Sequence, residues 1–314
     1  MHDDPNPEVR AEIFKKWEKA WGEKAPLFAD TINHLGGFRL ANYKMHGVED
    51  FMKEPLQYNR MKKETLDVMW DVIAKNKQPF VEFLNRKAKL LGKEKLSWVD
   101  VDAPIVTTEP MHYTFDEGAK FIIDNFAKFG DELPKFAQEA FEKAWIEAED
   151  RPGKRPGGFC TSFPETNESR IFMTYSGSPS GVATLAHELG HAFHSHVLND
   201  KPFFNTDYAM NVAETASTFA EQICSDASVR AAVSDAEKIT LLDNKILNAI
   251  AMFMNIHARF IFEKNYYTER KNGLVSVERL NEMMASAQKE AYQNSLSEYH
   301  PTFWASKLHF YISE

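Results

Sequence analysis

The chain has little cysteine: its 314 residues hold two, Cys160 and Cys224. That is too few for a disulfide framework, and nothing asks for an oxidising compartment. Both read as small buried residues. No apolar run approaches the roughly 18 residues that signal a membrane span, so no membrane partner is expected. The first thirty residues are dense in charge and lack the apolar stretch of a signal peptide, which makes the cytoplasm the default location. Positive charge is in deficit. The 37 Lys and Arg against 46 Asp and Glu leave a net charge of −9, which argues against nucleic acid as the main partner. No internal repeat or low-complexity tract is present. The apolar and charged fractions, 43% and 26%, are ordinary for a globular protein with a sizeable core.

Helical periodicity fills most of the chain. Residues 8–33 read as a helix broken or kinked at Pro26, with Trp17 and Trp21 in the core and loops at His34–Gly37 and His46–Gly47. Residues 61–92 form helix around Pro79, Trp98–Pro104 a polar connection, and Asp116–Gly130 and Glu132–Glu149 two amphipathic helices. The stretch Arg151–Gly181 differs. It gathers Pro152, Gly153, Pro156, Gly157, Gly158, Pro164, Gly177, Pro179 and Gly181, so helix is not expected. Within it Arg170–Tyr175 is the best strand of the chain. A short ribbon there offers an edge that could pair with an extended peptide through main-chain hydrogen bonds; the competing reading is a hairpin that covers the core. Helices resume over Asp235–Asn255, His257–Tyr267 and Val277–Asn294, with His257 read as a packed residue. The expected organisation is a helical part over 1–150 and a catalytic, metal-binding part over 151–314, forming one continuous domain.

The chemistry is concentrated in Gly181–Glu214. His187-Glu188-Leu189-Gly190-His191 is an H-E-x-x-H pattern. Four residues of helix advance about 400°, so both imidazoles leave one face and can reach one ion. Glu188 lies about 100° round the helix, where it can touch a water on the metal without being a ligand. A catalytic zinc site needs a third protein ligand and an open position. Glu214, 27 residues after His187 on a helical-looking segment, fits. Glu221, seven residues beyond it on the same face, could orient a ligand imidazole. Asp207 is a weaker candidate for that role.

Thr184–His194, Glu214–Glu221, Gly157–Cys160 and Lys307–Tyr311 together resemble the oligoendopeptidase F branch of the thimet-type zinc metallopeptidases. The likeness extends over nearly the whole chain, through Leu35–Leu40 and Trp98–Pro104. It implies a mainly α, multi-helix zincin-like fold with a small β ribbon beside the active-site helix, a zinc cofactor, and cleavage of short oligopeptides inside cells. It implies that His194, three after His191, is a neighbour of the ligands and not a fourth one. It also implies that His309 sits near the reacting centre and donates to the oxyanion. Relatives extend past both ends of this chain and continue into a tyrosine-rich stretch, so a fragment or a shortened member is expected.

Three functions remain open at this point. One is a zinc endopeptidase with Glu188 as general base. Another is a zinc-stabilised peptide-binding fragment with catalysis impaired. The third is an exopeptidase trimming N-termini, for which no acidic anchor stands out. The oligomeric state is not legible.

Overall fold

The computed structural model describes residues 4–106, 112–154 and 157–312; Pro156 and the terminal Glu314 lie outside them. The architecture is mainly helical, with one three-stranded sheet among the described residues. Its residues group into two compact units, 1–107 with 242–314, and 108–241. These boundaries differ from the division near residue 150 expected from composition. No helix among the described residues is long and apolar enough to cross a membrane.

The first unit is built from α1 (Pro7–Met45), α2 (Lys53–Tyr58), α3 (Lys63–Lys75) and α4 (Gln78–Leu90), joined by the end of α9 (Asp235–Ile250) and by α10 (Ile256–Arg270), α11 (Val277–Ala291) and α12 (Phe303–Ser306). Asn6 caps α1 by accepting from the Glu8 N–H at 2.9 Å, and Pro7 occupies the first turn, where its missing N–H costs nothing. Of the break or kink expected at Pro26, the break is not found, nor is the loop expected at His34–Gly37: α1 runs through both to Met45. Gly36 serves close packing instead of a turn. A side-chain carbon at Gly36 would lie 2.4 Å from the Tyr266 hydroxyl, and one at Gly37 would lie 2.2 Å from the Arg270 guanidinium. The helix stops at His46 and Gly47, whose φ of 68° a glycine adopts without strain.

The apolar faces of this unit meet in two clusters, one around Ile32, Phe262, Tyr266 and Trp304, the other around Leu84, Leu96, Met254 and Leu296. Trp17, expected in the core, is 42% exposed. His257 is packed as expected: its ring stacks on Trp70 and its Nδ1 lies 2.7 Å from the Lys77 amine. A five-residue π-turn, Ala251–Asn255, links α9 directly to α10 where a break had been expected.

The second unit contains α5 (Phe115–Phe126), α6 (Glu132–Glu142), β1 (Ile146–Glu147), β2 (Gly158–Phe163), β3 (Glu168–Met173), α7 (Pro179–Leu198) and α8 (Met210–Ala231). Thr114 and Glu117 cap α5 reciprocally: Glu117 Oε2 accepts from the Thr114 N–H and Thr114 Oγ1 from the Glu117 N–H. The helix expected over Glu132–Glu149 ends at Glu142. Ala144 takes a positive φ of 54°, and Ile146–Glu147 then pairs parallel to Ile171–Phe172 as a sheet edge. The sheet order is β1-β3-β2, with β2 antiparallel to β3 in the register Gly158↔Met173 to Phe163↔Glu168. Along β3, Ser169, Ile171 and Met173 are buried while their neighbours are half-buried, the period of two of a strand with one face on a core. That face meets Ile122, Phe126, Phe136, Leu185 and Leu189.

Candidate metal centre

Helix α7 carries the H-E-x-x-H residues. Ser178 caps it by accepting from the Gly181 N–H at 3.1 Å, and Pro179 opens its first turn. Val182, Leu185, Ala186, Leu189 and Ala192 are buried in the core cluster, so the helix cannot rotate and the opposite stripe, with His187 and His191, is fixed in direction. Helix α8 packs against it at unusually short range. A side-chain carbon at Gly190 would lie 2.7 Å from the Ala216 carbonyl oxygen and 2.8 Å from Ser217 Cα. Only glycine admits that approach, and the approach brings Glu214 to the histidines.

Glu214 Oε2 lies 3.2 Å from His187 Nε2 and 3.4 Å from His191 Nε2. The two imidazole centroids are 4.9 Å apart with planes at 81°. One ligand atom from each of the three residues falls within 4.8 Å of the others, a group able to hold a metal ion. The carboxylate and one ring are each held from behind. Ser217 Oγ donates to Glu214 Oε2 at 2.8 Å. His187 Nδ1 lies 3.2 Å from Glu221 Oε2, which sets the ring tautomer so that Nε2 is the free nitrogen facing Glu214.

Electrostatics separate these groups. Burial by itself would lower His187, but the Glu221 hydrogen bond and the charges of Glu188, Glu214 and Glu221 raise it. His191 is lowered, chiefly by burial. Glu188 is 6% exposed, and burial, with Glu214 adding to it against His187, raises its carboxyl. Its Oε2 is buried without a hydrogen-bond partner among the described residues. The strand passes close by: a side-chain carbon at Gly158 would lie 3.0 Å from Glu188 Oε1. Cys160, on the same strand, is half-buried, and Cys224 on α8 is buried; burial pushes both thiols up to about 12, so neither offers a thiolate.

His194 is outside the group of three; its ring stacks on Tyr208 at 4.3 Å and its Nδ1 is buried without a partner among the described residues. Asp207 is exposed on the loop between α7 and α8. His309 belongs to the first unit, exposed on the short turn Leu308–Tyr311. Sequence reasoning missed Ser217, Gly190 and Gly158. The available signal was the small-residue face Ala213, Ala216, Ser217 and Ala220 on α8, which permits close helix packing.

A mainly helical fold with paired imidazoles on one helix and a carboxylate from the next defines a class, helical proteins with a candidate metal centre at a helix–helix contact. The comparisons give the family. The model of peptidase family M3 matches residues 1–314, and this chain belongs to that family. An oligoendopeptidase F homolog of Lactococcus lactis subsp. lactis (strain IL1403) is 24% identical over 319 residues, covering 100% of this chain and 52% of the relative. Group B oligopeptidase PepB of Streptococcus agalactiae serotype III (strain NEM316) is 24% identical, covering 97% and 51%. Among solved structures, PZ peptidase A with an inhibitor superposes with a TM-score of 0.80 at 20% identity, covering 99% of this chain and 56% of the other. Oligoendopeptidase-F from Enterococcus faecium gives 0.69 at 17% identity, covering 99% and 50%. The chain thus spans about half the length of the curated relatives it matches.

Proposed function

We propose that this chain carries the zinc centre of an endopeptidase acting on short oligopeptides. One observation carries the reading: two imidazole nitrogens and a carboxylate oxygen converge within 4.8 Å, beside a buried glutamate whose Oε2 has no partner among the described residues. Two histidines and a glutamate are a donor set of catalytic zinc sites, in which a further position stays open. His187, His191 and Glu214 would hold the ion. Bound there, zinc would supply Lewis-acid polarisation of the scissile carbonyl and acidify a water.

The chain's own residues would do the rest. Glu188 accepts the proton of the attacking water on a carboxylate oxygen and passes it to the leaving amine. Its raised affinity for a proton suits a group that must hold one between the two steps. Ser217 and Glu221 keep Glu214 and His187 aimed. Strand β2 is an edge of its sheet among the described residues, so alternate residues turn their N–H and C=O groups outward and can align an extended peptide irrespective of its sequence. The family resemblance adds His309 as a donor to the oxyanion.

The test is cleavage of a quenched, N-terminally blocked oligopeptide with zinc content measured on the same sample. Loss of turnover on chelation and recovery with zinc are expected. Glu188→Gln should keep about one zinc per chain and lower kcat by on the order of 10²–10⁴; a zinc-loaded variant at the wild-type rate would remove Glu188 as the base. A chain that binds zinc and peptide without turnover would leave the peptide-binding reading, and cleavage confined to unblocked peptides would leave the exopeptidase. For His309→Ala the expectation is a slower rate with zinc content unchanged, and an unaltered rate would take His309 out of the mechanism.

A further inference from the structure

Strand β2 and helix α7 lead from the candidate metal centre to a cavity that the hydrolytic reading does not use. Strand β2 starts beside Glu188, at Gly158, and runs along α7 in the same sense as the helix: four residues on, Ser162 Oγ meets Ser195 Oγ at 2.8 Å. Four strand residues span about 13 Å. At that distance, where the β2–β3 hairpin, the C-terminal turn of α7 and the loop leading to α8 come together, lies a cavity of about 280 Å³. Its apolar wall is formed by Phe163, Leu198, Phe203 and Tyr208.

Several polar groups of the cavity are engaged with protein. Ser162 and Ser195 bond each other, Asn199 Nδ2 donates to the Asn167 carbonyl, and Thr206 Oγ1 donates to the Phe203 carbonyl. Glu168 is paired with Arg170, and Lys201 with Asp200. An apolar guest would bury surface against Phe203, itself 65% exposed. The volume lies just below that of typical small-ligand pockets and suits one large side chain.

We propose that this cavity is a specificity pocket for an aromatic or long aliphatic side chain of the peptide, about four residues to the amino side of the bond cleaved. The proposal rests on the hydrolytic reading of the metal centre. Direction follows from pairing: an antiparallel strand is the more stable partner for an edge, and a peptide antiparallel to β2 carries its amino-terminal part toward Phe163. Phe203 and Leu198 are then the specificity-determining residues. Alternation along an extended peptide turns every second side chain toward the pocket face, so one position is read and its immediate neighbours are not.

The experiment uses the zinc-loaded chain and fluorescein-labelled peptide hydroxamates, whose chelating carboxyl end fixes the register at the metal. Kd is measured by anisotropy for an alanine-based series in which a single Phe is moved through positions two to six from the hydroxamate. Phe at the fourth position, or at the fifth if the register is offset by one, should tighten binding by about tenfold over Ala, and Asp there should give no gain. In Phe203→Ala and Leu198→Ala that preference should shrink to within about twofold. Binding of the all-alanine hydroxamate with no gain for Phe at either position overturns the pocket and leaves the metal centre standing. A gain that survives both substitutions also overturns it. Failure of the all-alanine hydroxamate to bind zinc-loaded chain at all removes the metal-centre reading, and the pocket assignment falls with it.

Discussion

At the scale of single residues, Asp100 shows a buried charge placed with its partners. Asp100 is 1% exposed. Arg10 donates to its Oδ1 at 2.9 Å, Ser97 donates to Oδ2 at 2.7 Å, and Lys93 pairs with the same oxygen. Burial pushes this carboxyl up, and the hydrogen bonds from Lys93, Ser97 and Arg10 outweigh it, setting the pKa at about 2 from an ordinary 3.8. A carboxyl depressed on folding stabilises above its unfolded pKa and loses that contribution as pH falls through the folded value. The contribution is therefore complete above about pH 5, declines from about pH 4, and is gone near pH 2, amounting to about 2 kcal/mol. Asp100→Asn should be less stable than the wild type at pH 6 by at least that amount, because Arg10 loses a charged partner. The gap should narrow as the pH is lowered to 3. Urea unfolding at the two pH values checks this; a gap independent of pH would mean that the carboxylate charge contributes nothing.

At the scale of elements, the readable part of the site and the hidden part have different physical origins. That His187 and His191 share a face follows from the pitch of one helix, and the segment carrying Glu214 has its own helical pattern, so both were legible from local spacing. Gly190 was not, because its role exists only where another helix arrives. The same holds for Gly36, whose turn-like composition pointed to a loop while the contact with Tyr266 on α10 required a glycine inside α1. Ile146–Glu147 has the sequence of a helix end and becomes strand because β3 lies beside it. Two glycine substitutions separate local from tertiary causes. Gly22, in α1, has nothing within 4 Å of a side-chain carbon, so Gly22→Ala should stabilise by about 0.5–1 kcal/mol through helix propensity. Gly190→Ala places the same methyl against the α8 backbone and should destabilise by about 1–3 kcal/mol, with weaker zinc binding because Glu214 is pushed from the histidines. Equal and favourable shifts in both urea midpoints would show that the short α7–α8 approach is not a constraint.

For the whole molecule, the question is which residues a bound metal would steady. All three ligands belong to the unit spanning 108–241. The core beneath them draws on both sides of residue 150: Ile122, Phe126 and Phe136 pack with Ile171, Leu185 and Leu189. The composition break near Arg151 marks the loops around a sheet and not the limit of a core, which is why composition alone places a boundary there. A ligand that binds the folded form stabilises what must unfold to release it, by about 2.7 kcal/mol at a free concentration 100 times Kd. If residues 108–241 open as one cooperative unit, zinc should slow amide exchange by up to about 100-fold in α5, α6, α7 and α8 alike. Exchange in α1 and α11 should be unchanged. Hydrogen exchange with and without chelator, read by mass spectrometry, distinguishes the arrangements. Slowing that begins only after residue 150 would mean that the helices preceding the sheet open independently of the metal ligands. Slowing throughout the chain would mean that all 314 residues unfold together as a single domain.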